Sequence, residues 1–253
     1  MEITSLVPWL MGIFLISIRL SMLFVSTPIF GGVPMPTMAK IVLIVGLSVV
    51  FSGTVHFNNM QPFDILWLIE AIVHEVIVGA CIASGLIIGF AAFHFGGRLL
   101  DYQIGYGISG LFDMATRNNM PLLGTVISMT ALLIFFAADG HVVMLRVLQL
   151  SFTKLPVGTS LSMLNLGALI AYFGTCFTLG FAIVAPIVLC LFILDLGVAF
   201  MSRTMPQMNV FVMSLALKVI VGLIMLAIVL PFAGGLINKV FESIFNNWDQ
   251  VLG

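Results

Sequence analysis

The sequence predicts an all-α integral membrane protein, and three observations carry this prediction. Hydrophobic residues make up 61% of the 253 residues and charged residues 8%, whereas a soluble domain carries about 25% charged residues. The mean hydropathy is +1.25. The apolar residues also fall in long runs, and several of these reach the roughly 20 residues that a helix needs to cross a bilayer. We therefore expect long kinked or hairpin helices in a single membrane domain over residues 1–253.

The apolar runs are separated by polar, glycine and proline residues. In chain order they cover residues 3–25, 39–55, 65–95, 122–138, 166–200 and 210–237. The runs 65–95 and 166–200 are too long for one simple span. Pro186 is expected to kink the second of these or to turn it back. The first run is not expected to be a cleaved signal peptide, because no Lys or Arg precedes it and Glu2 is acidic.

The longest break in the apolar pattern is the segment 96–121, here called the central loop. Its many glycines disfavour a regular helix, because each interior Gly costs roughly 1 kcal/mol relative to Ala. Tyr106, Leu111, Phe112 and Met114 make it too apolar for a solvated linker. We expect such a loop to lie inside a vestibule, a pore or the groove of a partner. A connecting loop packed on the outside is the alternative.

Small residues recur at four-residue spacing in the third run, at Gly79 and Ala83 and again at Gly85 and Gly89. This spacing lets two helix backbones approach closely, which drives helix association in lipid. The contact lies either within the chain or between subunits, and the spacing favours neither.

Charged residues at membrane depth are costly and face protein, water or one another. The apolar runs contain Arg19, Glu70, Glu75, Asp195 and Lys218. One interpretation is the ion path of a small-solute or ion-coupled secondary transporter, although no inverted repeat is visible. The other is a set of structural ion pairs inside a multi-subunit assembly, which the overlong runs favour. We expect Glu75 and Asp195 to be partners of cations, with Lys218 a candidate for Asp195.

Two further charged residues, Arg98 and Asp101, lie near the end of the third run. We expect them to hold the base of the central loop.

The sequence contains few features that support a catalytic function or nucleic-acid binding. His74-Glu75 begins like a zinc-binding HExxH motif, but Val78 stands where the second His is needed. Ser109, with His141 as its base, resembles the serine of rhomboid-type proteases, but polar residues follow it where a small-residue helix is needed. The three cysteines lie in apolar runs without a CxxC pair, so we expect no zinc site and no cofactor. The net charge of −1 leaves no basic surface for nucleic acid.

One segment carries a family signature. Arg203, Pro206, Gln207, Asn209 and Phe211 closely resemble the R-x-x-P-Q-x-N-x-F pattern of the FliR family, which comprises flagellar type III export-gate proteins and their injectisome counterparts. Further matches follow in the order of the family over nearly the whole chain: Arg19, Thr27 to Gly31, Pro34, Glu75, Gly79, Gly85, Gly89, Asp101, Gly105, Gly140-His141, Ser151-Phe152, Leu155 to Gly158 and Ala185-Pro186.

The resemblance implies a non-enzymatic subunit of a hetero-oligomeric export gate in the inner membrane of bacteria, at the flagellar basal body. The implied partners are FliP-like and FliQ-like subunits, an FlhB-like subunit, membrane lipid and the unfolded flagellar proteins that pass through. An assembly or structural role is expected for ten residues: Arg203, Pro206, Gln207, Asn209, Phe211, Glu75, Asp195, Lys218, Gly85 and Gly89. The central loop is expected to act as a plug that closes the pore, through Gly105, Tyr106, Gly107, Ser109, Gly110, Leu111, Phe112 and Met114.

Overall fold

The structure is a computed structural model that describes residues 3–31, 36–53, 55, 65–106, 121–158, 166–204 and 209–251. Throughout these ranges the regular secondary structure is helical. The helices are α1 (Ile3–Ser26), α2 (Pro28–Gly31), α3 (Thr37–Ser52), α4 (Ile65–Ile104), α5 (Leu122–Ala137), α6 (Gly140–Lys154), α7 (Leu166–Thr204) and α8 (Val210–Val251).

Among the residues that the structure describes, four helical segments are long and apolar enough to cross a membrane: Val7–Ser26, Ile65–Ile104, Gly167–Thr204 and Val212–Trp248. The number rises to five if α5 and α6, which form a bent pair, are taken as one span. Helix α3 is apolar but shorter. The all-α integral membrane class predicted from composition is confirmed, with fewer candidate spans than apolar runs.

The chain divides into two compact units. Unit 1 comprises Met1–Ile88, Asp139–Tyr172 and Ile244–Gly253, and unit 2 comprises Gly89–Ala138 and Phe173–Ser243. In unit 1, helix α1 packs against α3. In unit 2, the core contains a cluster of aromatic rings whose neighbouring centroids lie 5.4–6.2 Å apart, formed by Phe90, Phe93, Phe135 and Phe241. That both units belong to one membrane domain stays a prediction of the sequence.

Helix α4 continues past Phe95 through two glycines to Ile104, so the prediction that a loop begins at residue 96 is wrong. These glycines serve packing within unit 2. A Cβ atom on Gly97 would lie 2.6 Å from the backbone nitrogen of Gly124 in α5, and one on Gly96 would lie 3.0 Å from the carbonyl oxygen of Gly180 in α7. The close packing offsets the low helix propensity of glycine, which is the quantity on which the prediction rested.

Two other boundaries differ from the apolar runs. Helix α6 forms in a semi-polar stretch that no run included, because Met144, Leu148 and Ser151 recur at helical spacing and are buried. Helix α8 extends past residue 237 to Val251, and its last turns bury Ile244 and Trp248. Pro186 lies inside α7 and does not end the helix.

We predict that Gly97→Ala destabilises the folded chain by roughly 1–3 kcal/mol, because the new methyl group must displace the backbone of α5. Gly174→Ala is the matched control, since Gly174 is also helical and a Cβ atom there meets nothing within 4 Å. The control should be neutral or slightly stabilising, because Ala is the better helix former. The measurement is the amount of each variant that stays soluble after heating in detergent. Equal behaviour of the two variants would contradict the packing role of Gly97.

Candidate functional site

The centre of unit 1 is a buried ion pair between α1 and α4. Arg19 donates from Nε to Oε2 of Glu75 over 2.6 Å and from Nη2 to Oε1 of the same carboxylate over 3.1 Å. Both side chains are 1% exposed. Two parallel N–H···O bonds between a guanidinium and a carboxylate form the strongest and most directional kind of protein ion pair. Each charge therefore satisfies the other inside the apolar unit.

Further hydrogen bonds to the pair come from α6 and the turn that follows it. Arg19 Nη1 donates to Ser151 Oγ over 3.1 Å, and Nη2 also donates to the carbonyl oxygen of Leu155 over 3.1 Å. The guanidinium carbon lies 4.5 Å from the ring centroid of Phe152. The backbone N–H of Gly158 donates to Glu75 Oε1 over 3.3 Å. We call these six residues the Arg19 network.

A small residue brings the two charges within reach of each other. Gly79 lies one helical turn after Glu75, and a Cβ atom there would lie 2.8 Å from the carbonyl oxygen of Arg19 and 2.9 Å from Cβ of Met22. Only glycine lets α4 approach α1 this closely. The small-residue spacing left open whether the helix contact lies within the chain or between subunits. For Gly79, the contact lies within the chain.

The Arg19 network also gives the glutamate of His74-Glu75 a structural partner. The Glu75 carboxylate, which would be the catalytic base of an HExxH site, is held by Arg19. In the described part of the chain, no group of three or more His, Cys, Asp or Glu side chains could hold a metal ion. The arrangement stabilises a fold and offers no open coordination position.

A second contact in unit 1 joins α4 to the end of α8 and the start of α7. Trp248 Nε1 donates to the carbonyl oxygen of Ile82 over 3.0 Å, and the Tyr172 hydroxyl donates to that of Gly85 over 2.6 Å. A Cβ atom on Gly85 would lie 2.6 Å from Trp248 Nε1. Gly85 therefore makes room for the indole within the chain. Gly89, the fourth residue of the small-residue pattern, is buried in α4.

In unit 2, Asp101 connects the end of α4 to the start of α5. Its two carboxylate oxygens accept hydrogen bonds from the backbone N–H groups of Leu123 and Gly124 over 3.0 and 3.1 Å. Pro121, the N-cap of α5, provides no side-chain cap, so Asp101 takes this role from another helix. The expected role at the base of the central loop thus fits Asp101. Arg98 is exposed, and no described contact gives it this role.

Only the beginning of the expected plug is described. Gly105 follows α4 with a φ of 98°, a left-handed conformation that favours glycine, and Tyr106 is half-buried. The other residues expected in the plug lie outside the described residues: Gly107, Ser109, Gly110, Leu111, Phe112 and Met114.

The remaining predicted charges lie in unit 2 or on the surface. Lys218 Nζ in α8 lies 2.6 Å from Asp195 Oδ1 in α7, so the structure brings together the pair that the sequence suggested. Glu70, unlike Glu75, is exposed.

The family signature lies where α7 ends and α8 begins. Arg203 is exposed at the end of α7. At the start of α8, Asn209 accepts a weak hydrogen bond from the N–H of Val212 over 3.5 Å. Pro206, Gln207 and the side chain of Phe211 lie outside the described residues.

We predict that Glu75→Gln strongly destabilises the chain, whereas Glu70→Gln on the same helix does not. Removing one member of a buried pair leaves an uncompensated charge and costs roughly 3–5 kcal/mol. Exposed carboxylates such as Glu70 contribute little. The measurement is the level of each variant in isolated membranes after equal synthesis, verified by pulse labelling. A Glu75→Gln variant that persists like the Glu70→Gln variant would contradict the structural role of the pair.

Comparison with known proteins relates this geometry to a family. The profile of "Bacterial export proteins, family 1" matches residues 10–244. The chain is 31% identical over 234 residues to the flagellar biosynthetic protein FliR of Bacillus subtilis, covering 90% of this chain and 89% of that protein. It is 26% identical over 247 residues to the FliR protein of Escherichia coli, covering 94% of this chain and 91% of that protein.

A relative named for a secretion system also matches. The secretion system apparatus protein SsaT of Salmonella typhimurium is 30% identical over 172 residues, which cover 67% of this chain and 66% of that protein. The family profile extends over both units and includes every member of the Arg19 network. The chain therefore belongs to the bacterial export proteins of family 1, the FliR family.

Proposed function

We propose that the chain is a subunit of the bacterial flagellar type III protein export gate, in which it forms part of the pore through which unfolded flagellar proteins cross the inner membrane. The observation that carries this proposal is the similarity to flagellar FliR proteins along both units of the chain. The partial similarity to the secretion system apparatus protein SsaT agrees with a part in an export apparatus.

The exposure of the helices supports an assembly. The most apolar windows of α7 and α8 have a mean hydropathy of 2.7, yet only 28% and 11% of them are buried within the chain. These helices are also 39 and 42 residues long, about twice what a bilayer requires. Lipid alone cannot cover such lengths. In the proposed gate, FliP-like, FliQ-like and FlhB-like subunits cover them.

The Arg19 network supports a structural role over the transporter alternative. A proton relay needs a carboxylate that can exchange its proton, and Glu75 is bound on both oxygens by Arg19. We propose accordingly that the chain performs no catalysis itself and acts at the flagellar basal body through assembly.

The proposal is tested by co-expressing the chain with its neighbouring genes and measuring the mass of the intact complex in mild detergent. We expect a defined complex that contains the chain together with FliP-like and FliQ-like proteins. We also expect the chain to aggregate or be degraded when it is made alone. A stable, monodisperse monomer that binds neither protein would contradict the proposal.

We further propose that the central loop blocks the closed pore and is displaced when a secreted chain enters. The described residues support this proposal through Asp101, whose carboxylate ties the start of α5 to the end of α4. The two helix ends that flank the segment are therefore hydrogen-bonded directly to each other.

Deletion of residues 107–113 tests the plug. The complex should still assemble, because the contacts of Asp101 remain, but the membrane should become permeable to ions and small molecules. Conductance in planar bilayers and growth inhibition on expression measure the leak. Tyr102→Ala is the control, since this exposed residue lies in α4 before the deletion, and it should not leak. A deletion variant that assembles and stays sealed would show that the loop is not the seal.

A further inference from the structure

The ion pair between Asp195 and Lys218 differs from the Arg19 pair in one physical respect, which is exposure. The Arg19 and Glu75 side chains are each 1% exposed. In contrast, 39% of the Asp195 side chain and 21% of the Lys218 side chain are exposed. Within the described part of the chain, Lys218 is the single partner of this carboxylate. A carboxylate accepts about four hydrogen bonds, so Lys218 uses only part of the capacity of Asp195.

Several residues close to this pair in the sequence are apolar and exposed. Phe192, one helical turn before Asp195, is 51% exposed, and Leu196 is 46% exposed. On α8, the neighbour of Lys218 is Leu217, which is 42% exposed. An ion pair set in such a surface is poorly covered by hydrocarbon, because charged groups at membrane depth pair with protein groups or face water. Lipid tails therefore do not account for this face.

Either water or another protein surface then covers the ion pair. The apolar side chains that border the pair favour a protein surface. Large apolar groups around the pair exclude water when another surface approaches and supply contact area for it. The unequal exposure then sets the chemistry of that surface. Because the side chain of Asp195 is more exposed than that of Lys218, we infer that the face presents a net hydrogen-bond acceptor. A complementary surface offers a cation or an N–H or O–H donor.

We propose that the face around Asp195 and Lys218 docks a membrane helix of another subunit, which places a cationic or hydrogen-bond-donating side chain on the Asp195 carboxylate. This proposal rests on the proposed function, since it presumes an assembly, and it adds the contact that selects the partner. Lys218 then has two roles. It neutralises Asp195 before assembly, and it leaves the outer part of the carboxylate open to the partner.

A charge swap separates this proposal from a purely internal pair. The swap carries Asp195→Lys together with Lys218→Asp, and Asp195→Asn and Lys218→Gln are the single controls. Each tagged chain is purified from a host that supplies the neighbouring proteins, and the co-purified protein is measured per molecule of chain. An internal pair works in either orientation, whereas a partner-facing acid does not. We expect about tenfold less co-purified protein for the swap than for the wild type.

The controls distinguish the alternatives. If the swap restores what the single variants lose, the pair is internal and the proposal is overturned. If Asp195→Asn assembles normally but alters conductance, the face lines a water-filled path and the proposal is also overturned. Failure of the wild-type chain itself to co-purify any neighbouring protein would instead contradict the proposed function.

A photo-crosslinking amino acid at Ala199 keeps the test valid if the swap does not fold. Ala199 is exposed one helical turn after Asp195, so a docked helix lies within reach and both charges stay native. We expect a crosslink to a membrane helix of a neighbouring protein that carries a donor side chain. Replacement of that donor by Asp or Glu should then restore assembly to the swapped chain. Lipid adducts alone would overturn the proposal.

Discussion

The structure of unit 1 depends on one constraint, which is that the charge of Arg19 must be satisfied in surroundings without water. An isolated ion in such a place costs several kcal/mol, so α1 has to lie where Glu75 can reach it. Gly79 permits that distance, and Ser151 and the carbonyl of Leu155 complete the bonding. A single polar requirement thereby determines how α1, α4 and α6 pack. Apolar contacts alone are non-directional and would allow many registers.

The two ion pairs differ in burial, and we propose that the Arg19 pair serves folding and the Asp195 pair serves assembly. The Arg19 pair is closed, because its donors and acceptors are bound within unit 1. The Asp195 pair is partly exposed, and it lies on α7, whose most apolar segment is mostly not buried within the chain. A subunit of a membrane complex needs both kinds, one to define its own fold and one to define its neighbour. In the proposed assembly, the apolar surface of α7 and α8 contributes affinity, and the carboxylate of Asp195 contributes selectivity.

The sequence predicts the fold class and the charged residues well, because composition and burial cost are local properties. It also suggests Lys218 as the partner of Asp195. It could not identify Arg19 as the partner of Glu75, since the two residues lie far apart in the chain and nothing local links them. The loop predicted from Gly96 failed for a related reason. Glycine disfavours a helix locally. Here, however, α7 packs closely against Gly96 and α5 against Gly97, and this packing outweighs the low helix propensity of glycine.

The central claim is that Arg19 and Glu75 exist to satisfy each other and carry out no proton transfer. It is tested most directly by a double-mutant cycle with Arg19→Met, Glu75→Leu and the double variant, measuring stability in detergent and flagellar protein export in cells. Each single change leaves a buried charge unpaired, whereas the double change removes both charges. The account predicts that the double variant recovers much of the stability lost by either single variant and still exports protein. Additive losses of stability, or a stable double variant without export, would contradict it.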